Sequence, residues 1–263
     1  MLAEWNLRHG RPFNFFTEAS VNLADDLELL QMIKKACFTR VFLGIETPVE
    51  ASLKEAQKLQ NTHRSLLDSV HRIQSHGMEV MAGFIVGFDH DPEDIFDRQV
   101  EFIQESAIPL AMVGLLLALP GTQLYRRLLK ENRIVAEGHG NNMECRLNFI
   151  PKMNPQRLVE GYQSILKRIY SPDAYYARVR RFLAQYYPSH HRRRSLSDYI
   201  ALGRSILKQG VMGEARTSYW KFFLEAATRY HHAFDTAITL AIMGYHFQTL
   251  TRLVCEPDPA VLD

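Results

Sequence analysis

The sequence predicts an α/β fold, with a parallel sheet in its first half and an all-α C-terminal region. Three observations carry this: four strand-then-helix units in series, strand candidates that are apolar without polar alternation, and a change after Asn132 to helical periodicity alone. Continuous apolar strands fit a sheet buried on both faces. Units of roughly thirty residues suit right-handed β-α-β crossovers. On these grounds the sheet is either part of a β/α barrel or an open doubly wound sheet.

The first ten residues, MLAEWNLRHG, read as a helix with no strand ahead of it. Phe13 to Ala19 is an aromatic-rich strand candidate, and Leu23 to Ala36 follows with apolar residues at helical spacing and acidic residues in its first turn. The second unit is Arg40 to Thr47 followed by helical sequence through Ser75. The third is Met78 to Phe88 followed by Pro92 to Ser106, and the fourth is Pro109 to Leu119 followed by Thr122 to Asn132. Asp91 is expected as the N-cap of the third helix, with Pro92 at its first position and Glu93 and Asp94 in its first turn. Because these groups serve a helix start, they are read as structural. An incomplete sheet would leave the Phe13 to Ala19 strand as an open edge, which invites self-association of the isolated chain.

Val135 to Asn154 is an irregular, Gly/Asn-rich connection, and the remainder is helical in pattern. Pro155 and Pro172 stand where first-turn prolines belong, after Asn154 and Ser171 as caps. Two segments are therefore expected, 1–134 as the β/α part and 135–263 as the helical part.

Of the 263 residues, 46% are hydrophobic, enough for a large core. A balance of 31 basic against 29 acidic side chains gives net charge +2, so no nucleic-acid partner is expected. Basic residues do outnumber acidic ones between Ser171 and Arg216, including HHRRR at His190 to Arg194, and such a stretch allows contact with an anionic membrane surface. A span is not expected. Glu225, Arg229, Asp235 and His246 interrupt the last helical stretch, and its longest clean segment falls short of the ~20 residues a span needs. The N-terminus carries no apolar signal core, so a cytoplasmic location is expected. Cys37, Cys145 and Cys255 are too scattered for a CxxC or CxxxCxxC metal pattern.

Ligands of parallel β/α folds bind at the carboxyl ends of the strands. There the sequence offers Glu18, Glu46 with Thr47, Gly83 to Asp89, and Leu119 to Thr122. Glu46 ends an apolar strand and either accepts hydrogen bonds from a ligand or serves the fold as a cap or ion-pair partner. Gly83 and Gly87 permit close backbone approach. Leu117 to Thr122 (LALPGT) could receive a flat base against unoccupied backbone groups, or be only a tight connection. A hydrolase or lyase would need a fuller set of acid-base groups than Glu18, Glu46 and Asp89.

Taken in order, GIET (Gly44 to Thr47), GFIVGFDHDPEDIFD (Gly83 to Asp97) and LLLALPGTQLYRRL (Leu115 to Leu128) resemble the later strands of radical S-adenosylmethionine enzymes, in particular the branch with an N-terminal cobalamin-binding domain. The resemblance covers about residues 1–135 as barrel, and the helical remainder is similar to a C-terminal domain of unassigned function found on one group of these proteins. It implies a partial β/α barrel that binds S-adenosylmethionine against a four-iron four-sulfur cluster and cleaves it to a 5′-deoxyadenosyl radical, with methyl transfer in many cobalamin-containing relatives. It further implies that Glu46, with Glu18 and Thr47 on the same rim, meets the ribose or the methionine amine. Gly83, Ile85 and Gly87 would lie along the adenosyl group, and Leu119 and Pro120 would flank the adenine.

The cluster-binding CxxxCxxC, its strand and the cobalamin domain have no counterpart in this sequence. The three scattered cysteines cannot replace three thiolates on one loop. The chain is therefore expected to be inactive alone: a C-terminal fragment, or one half of an enzyme completed by an N-terminal partner chain carrying the cluster motif and acting on a small-molecule or lipid substrate. The alternative is a noncatalytic binding module acting through its basic helical part.

Overall fold

The computed structural model describes residues 1–136, 145–188 and 194–255. A short helix α1 (Leu2–Arg8) precedes strand β1 (Phe15–Ala19), a 3-10 turn (Val21–Asp25) and helix α2 (Leu27–Lys35). Strand β2 (Phe38–Glu46) is followed by α3 (Glu50–Glu55), a 3-10 turn (Leu59–Asn61) and α4 (Leu66–Ser75). Then come β3 (Glu79–Val86), α5 (Ile95–Glu105), β4 (Leu110–Leu115) and α6 (Gln123–Lys130). The four strands are parallel and stand in sequence order, β1-β2-β3-β4. Such an order has no point at which the winding reverses, the feature that defines a doubly wound sheet.

Local chemistry sets the element ends. Asp26 accepts from the Leu29 amide at 2.8 Å and starts α2. Ser65 and Thr122 cap α4 and α6 in the same way. Helix α5 begins three residues later than the sequence suggests. Asp91 is not its N-cap; its carboxylate turns back to the Gly87 and Phe88 amides at 2.8 and 3.0 Å, and α5 starts at Ile95 after Asp94. Strand β4 stops at Leu115, four residues short of expectation. Beyond it the Ala118 backbone is bound by a side chain instead of a neighbouring strand.

The helical part comprises α7 (Pro155–Tyr170), α8 (Pro172–Gln185), α9 (Leu196–Ser205) continuing as a π-helical turn (Ile206–Val211), α10 (Arg216–Thr228) and α11 (Phe234–Cys255). Pro155 opens α7 behind Asn154, whose side chain accepts from the Arg157 amide at 3.1 Å, and Pro172 opens α8. The expected division near residue 134 marks a change of secondary structure, but the core runs across it. Leu158, Tyr162, Ile165 and Ile169 of α7 share one buried cluster with Val80, Phe84, Ile103, Leu110 and Val113.

The outer edge of β4 is closed by a side chain. The Tyr170 hydroxyl donates to the Ala111 carbonyl at 2.8 Å and receives the Ala111 amide at 3.2 Å, standing in for a fifth strand. Arg178, fully buried, donates to the Ile169 and Pro109 carbonyls and lies over the Tyr170 and Tyr175 rings. Burial lowers its pKa. No helix among the described residues is long and apolar enough to cross a membrane. His190 to Arg193, the centre of the basic stretch, lie outside the described residues.

The sheet has two unlike faces. Val41, Leu43 and Ile45 of β2 and Val80, Ala82, Phe84 and Val86 of β3 are buried. The alternate residues form the more open face. In register these are Phe16, Arg40 and Glu79, then Glu18, Phe42, Met81 and Leu110, then Gly44, Gly83 and Met112.

Candidate functional site

At the carboxyl end of β2 the ladder is broken by a bulge. Gly44 pairs with Gly83 and Glu46 with Phe84, so Ile45 and Glu46 together oppose one residue of β3. Glu46 has φ +66, a conformation seldom held by a non-glycine residue. Its carboxylate folds back over Gly44 and meets the Lys58 ammonium at 2.8 Å. A Cβ on Gly44 would stand 2.7 Å from Glu46 Oε1 and 2.8 Å from Lys58 Nζ, so this ion pair occupies the room that glycine leaves.

Two buried carboxamides hold the bulge. Asn61 donates to the Gly44 and Ile45 carbonyls at 3.0 and 3.1 Å. Gln99 on α5 donates to the Ile85 carbonyl at 2.9 Å and the Glu46 carbonyl at 3.4 Å. Thr47 is fully buried, and its hydroxyl accepts from the Val49 amide, so it shapes the turn after the bulge. Glu18, on edge strand β1, is exposed one row below Gly44.

The glycines of β3 divide in role. Gly83 lies on the open face, where the edge of the Phe42 ring would stand 3.2 Å from an added Cβ, so an aromatic side chain already makes the close approach. Gly87 has φ +112, and an added Cβ would meet Leu158 and Leu116 at 3.1 and 3.4 Å, so it serves a turn packed under α7. Ile85, between them, packs against the small cluster of Phe88, Leu116, Ala118, Leu128 and Phe149.

The end of β4 is also spoken for. Asn148 accepts from the Ala118 amide at 2.9 Å and donates to the Ala118 carbonyl at 2.8 Å, so the backbone groups expected to receive a base there are taken at Ala118. Leu119, Pro120 and Gly121 form a turn in which the Thr122 amide and hydroxyl bind the Leu119 carbonyl, with Gly121 at φ +83. That is the pattern of proline then glycine in a type II turn. Leu119 and Pro120 are exposed and offer apolar contact.

A charged network that the sequence reading missed ties these loops together. Asp89, buried, takes two hydrogen bonds from Arg133 at 2.6 and 2.8 Å and lies 3.2 Å from Arg127 and 3.9 Å from Lys152. Burial works to raise its pKa, but the Arg133 hydrogen bonds and the charges of Arg133, Arg127 and Lys152 hold it below the ordinary value. Glu55 receives Arg127 at 2.5 Å and His90 Nδ1 at 2.8 Å. Asp91, which also accepts from Ser52 at 2.6 Å, is pushed up by its burial. Lys58 and His90 thus supply the basic side chains absent from the strand ends proper, each arriving from a neighbouring segment and already paired. Only the short distance in sequence between Lys58 and the α3 helix end hinted at this.

At these strand ends Glu46 is paired with Lys58, Thr47 and Gly87 serve turns, and Leu119 and Pro120 are exposed. These residues do not suit an iron–sulfur cluster. Cys37 lies at the amino-terminal end of β2, and Cys145 and Cys255 flank Gln163 on α7. Among the described residues no three His, Cys, Asp or Glu side chains converge as metal ligands.

Residues 122–258 match the family model described as a domain of unknown function, DUF4070. The chain is 39% identical over 258 residues to an uncharacterized methyltransferase of Synechocystis, aligned over 96% of this chain and 48% of that protein. It is 33% identical over 260 residues to the hopanoid C-2 methylase of Rhodopseudomonas palustris, over 95% of this chain and 48% of the other. Similarity to the bacteriochlorophyllide d C-12(1)-methyltransferase of Chlorobaculum tepidum is 22% over 161 residues, covering 61% of this chain and 35% of that protein. The chain spans about half the length, or less, of the curated relatives it matches.

Proposed function

This chain belongs to the DUF4070 family, and from that premise we propose that it is the cofactor-wall half of a radical S-adenosylmethionine methylase acting on an apolar substrate. The observation that carries the reading is near full-length similarity of this chain to two proteins named as a methyltransferase and a methylase. The ordered motifs at Gly44 to Thr47, Gly83 to Asp97 and Leu115 to Leu128 support it, as does a parallel sheet in sequence order, the winding of a barrel arc.

In this reading Glu46 exchanges Lys58 for the ribose hydroxyls or the methionine amine of S-adenosylmethionine, with Glu18 on the same rim and buried Thr47 shaping the turn behind it. Gly83, Ile85 and Gly87 form the stretch beside the adenosyl group, with the Phe42 ring as its apolar contact, and Leu119 and Pro120 border the base. The cofactor would supply a 5′-deoxyadenosyl radical and a methyl group. The described residues offer no ligand set for the four-iron cluster expected for the family, so in this reading the cluster, and cobalamin with it, belong to a part outside this chain. That part would adjoin the unpaired edge of β1. The hopanoid and bacteriochlorophyllide names of two relatives favour a lipid or polycyclic substrate.

The test is binding of labelled S-adenosylmethionine to this chain combined with an N-terminal half carrying CxxxCxxC. Glu46→Gln should weaken binding about tenfold, the scale of one charge-assisted hydrogen bond, whereas Lys58→Met should not weaken it. Equal affinity of wild type and Glu46→Gln would remove Glu46 from the site.

A further inference from the structure

At the opposite end of the sheet lies a cleft of about 450 Å³, at the foot of the open face, between the strand starts and the α9 and α11 helices. Its floor is the cross-strand row Phe16, Arg40 and Glu79, and Leu202 and Ile242 stand in its walls. Glu79 is 2% exposed. One of its carboxylate oxygens, Oε2, receives Arg40 Nε at 3.1 Å, while the other, Oε1, is buried with no hydrogen-bond partner among the described residues. Burial raises the Glu79 pKa and Arg40 opposes this; in the ionised form paired with Arg40, Oε1 is a buried acceptor without a donor, which is costly and calls for one.

Above this row come exposed Glu18 on the β1 edge, then Phe42, Met81 and buried Leu110, and above them Gly44, Gly83 and Met112, with Met112 45% exposed. From Glu79 to the bulge at Glu46 is about six strand residues, or about 20 Å. The carboxylate and the Glu46 bulge therefore stand at opposite ends of the same sheet face, with Phe42, Met81 and Met112 between them.

We propose that this cleft is a binding site for an extended apolar molecule ending in a hydrogen-bond donor, an alcohol or an amine, whose donor is received by Glu79 Oε1 and whose body lies along Phe42, Met81 and Met112 toward Glu46. The site deepens the methylase reading by naming a polar anchor for the substrate, and its reach toward Glu46 rests on that reading. The donor-to-Glu79 contact does not.

The probes are radiolabelled 1-hexadecanol, hexadecylamine and 1-methoxyhexadecane, measured by equilibrium partition onto this chain. The alcohol or the amine should bind at least about tenfold tighter than the ether, the value of a hydrogen bond to a carboxylate, and the stronger of the two identifies the donor. Glu79→Met should erase that preference while retaining the circular dichroism of the wild type. Ile242→Trp, which fills the wall and leaves the Arg40–Glu79 pair in place, should reduce binding of all three. Equal binding of alcohol, amine and ether, no saturable binding of any, or a preference that survives Glu79→Met would overturn the proposal. Donor preference in a protein that never binds S-adenosylmethionine would sustain the anchor and sink only the methylase reading.

Discussion

Asp89 and Glu46 show two ways in which a carboxylate at a strand end is held. Asp89 serves the fold: Arg133, Arg127 and Lys152 surround it. Asp89→Asn should cost about 3 kcal/mol, the scale of breaking a buried pair from one side. Because the folded pKa is depressed, this stability is fully present above the ordinary carboxylate range and is lost as pH falls through the folded value. The Tm difference between wild type and Asp89→Asn should therefore be constant from about pH 5 to 8 and shrink below about pH 4. A difference that persists undiminished at pH 3 would contradict the ion-pair account. Glu46 was legible in the sequence as an acid ending an apolar strand, but its bulge, its positive φ and its Lys58 partner were not. The reason is physical: Lys58 lies beyond α3, and only the fold of that connection brings it over Gly44. Gly44→Val should disturb both, weakening S-adenosylmethionine binding at least as much as Glu46→Gln. Binding at wild-type strength would show that the Glu46 conformation is unimportant.

At the scale of elements, four parallel strands, their helices and the proline starts of α7 and α8 followed from period and turn chemistry. The misplaced ends share one cause, side chains that take backbone groups the ladder or helix would otherwise use. Asp91 took the Gly87 and Phe88 amides and delayed α5, and Asn148 took Ala118 and ended β4 early. Asp91 acts on amides three and four residues back, whereas Asn148 acts over thirty residues, which no local pattern announces. Tyr170 does the same for Ala111 on the sheet edge, so Tyr170→Phe should cost about 1–3 kcal/mol by leaving buried backbone groups unpaired. The Ala111 amide should then exchange hydrogen far faster, and unchanged exchange would mean that water or another group replaces the hydroxyl. The other edge, β1, carries exposed Phe16 beside exposed Phe13 and Trp5. The isolated chain should self-associate, and Phe13→Lys with Phe16→Lys should reduce it. A monodisperse wild-type monomer in light scattering would count against an open edge.

For the whole molecule, the change of composition near residue 134 separates two kinds of sequence but not two cores, because α7 completes the packing of α5 and β4. Periodicity reports each helix's apolar face and is silent on which sheet that face covers. Residues 1–134 expressed alone should lack a cooperative thermal transition, and a sharp one would show a self-sufficient β/α part. The β1 edge and relatives about twice as long support the proposal that this chain forms one wall of a larger cofactor site. Its most direct test is anaerobic formation of 5′-deoxyadenosine from S-adenosylmethionine by this chain mixed with a cluster-loaded N-terminal half from the Synechocystis relative. Product is expected in the mixture, none from this chain alone, and a loss of at least about tenfold with Glu46→Gln. A stable mixture with an intact cluster that forms no 5′-deoxyadenosine, or forms it equally with Glu46→Gln, would contradict the proposal.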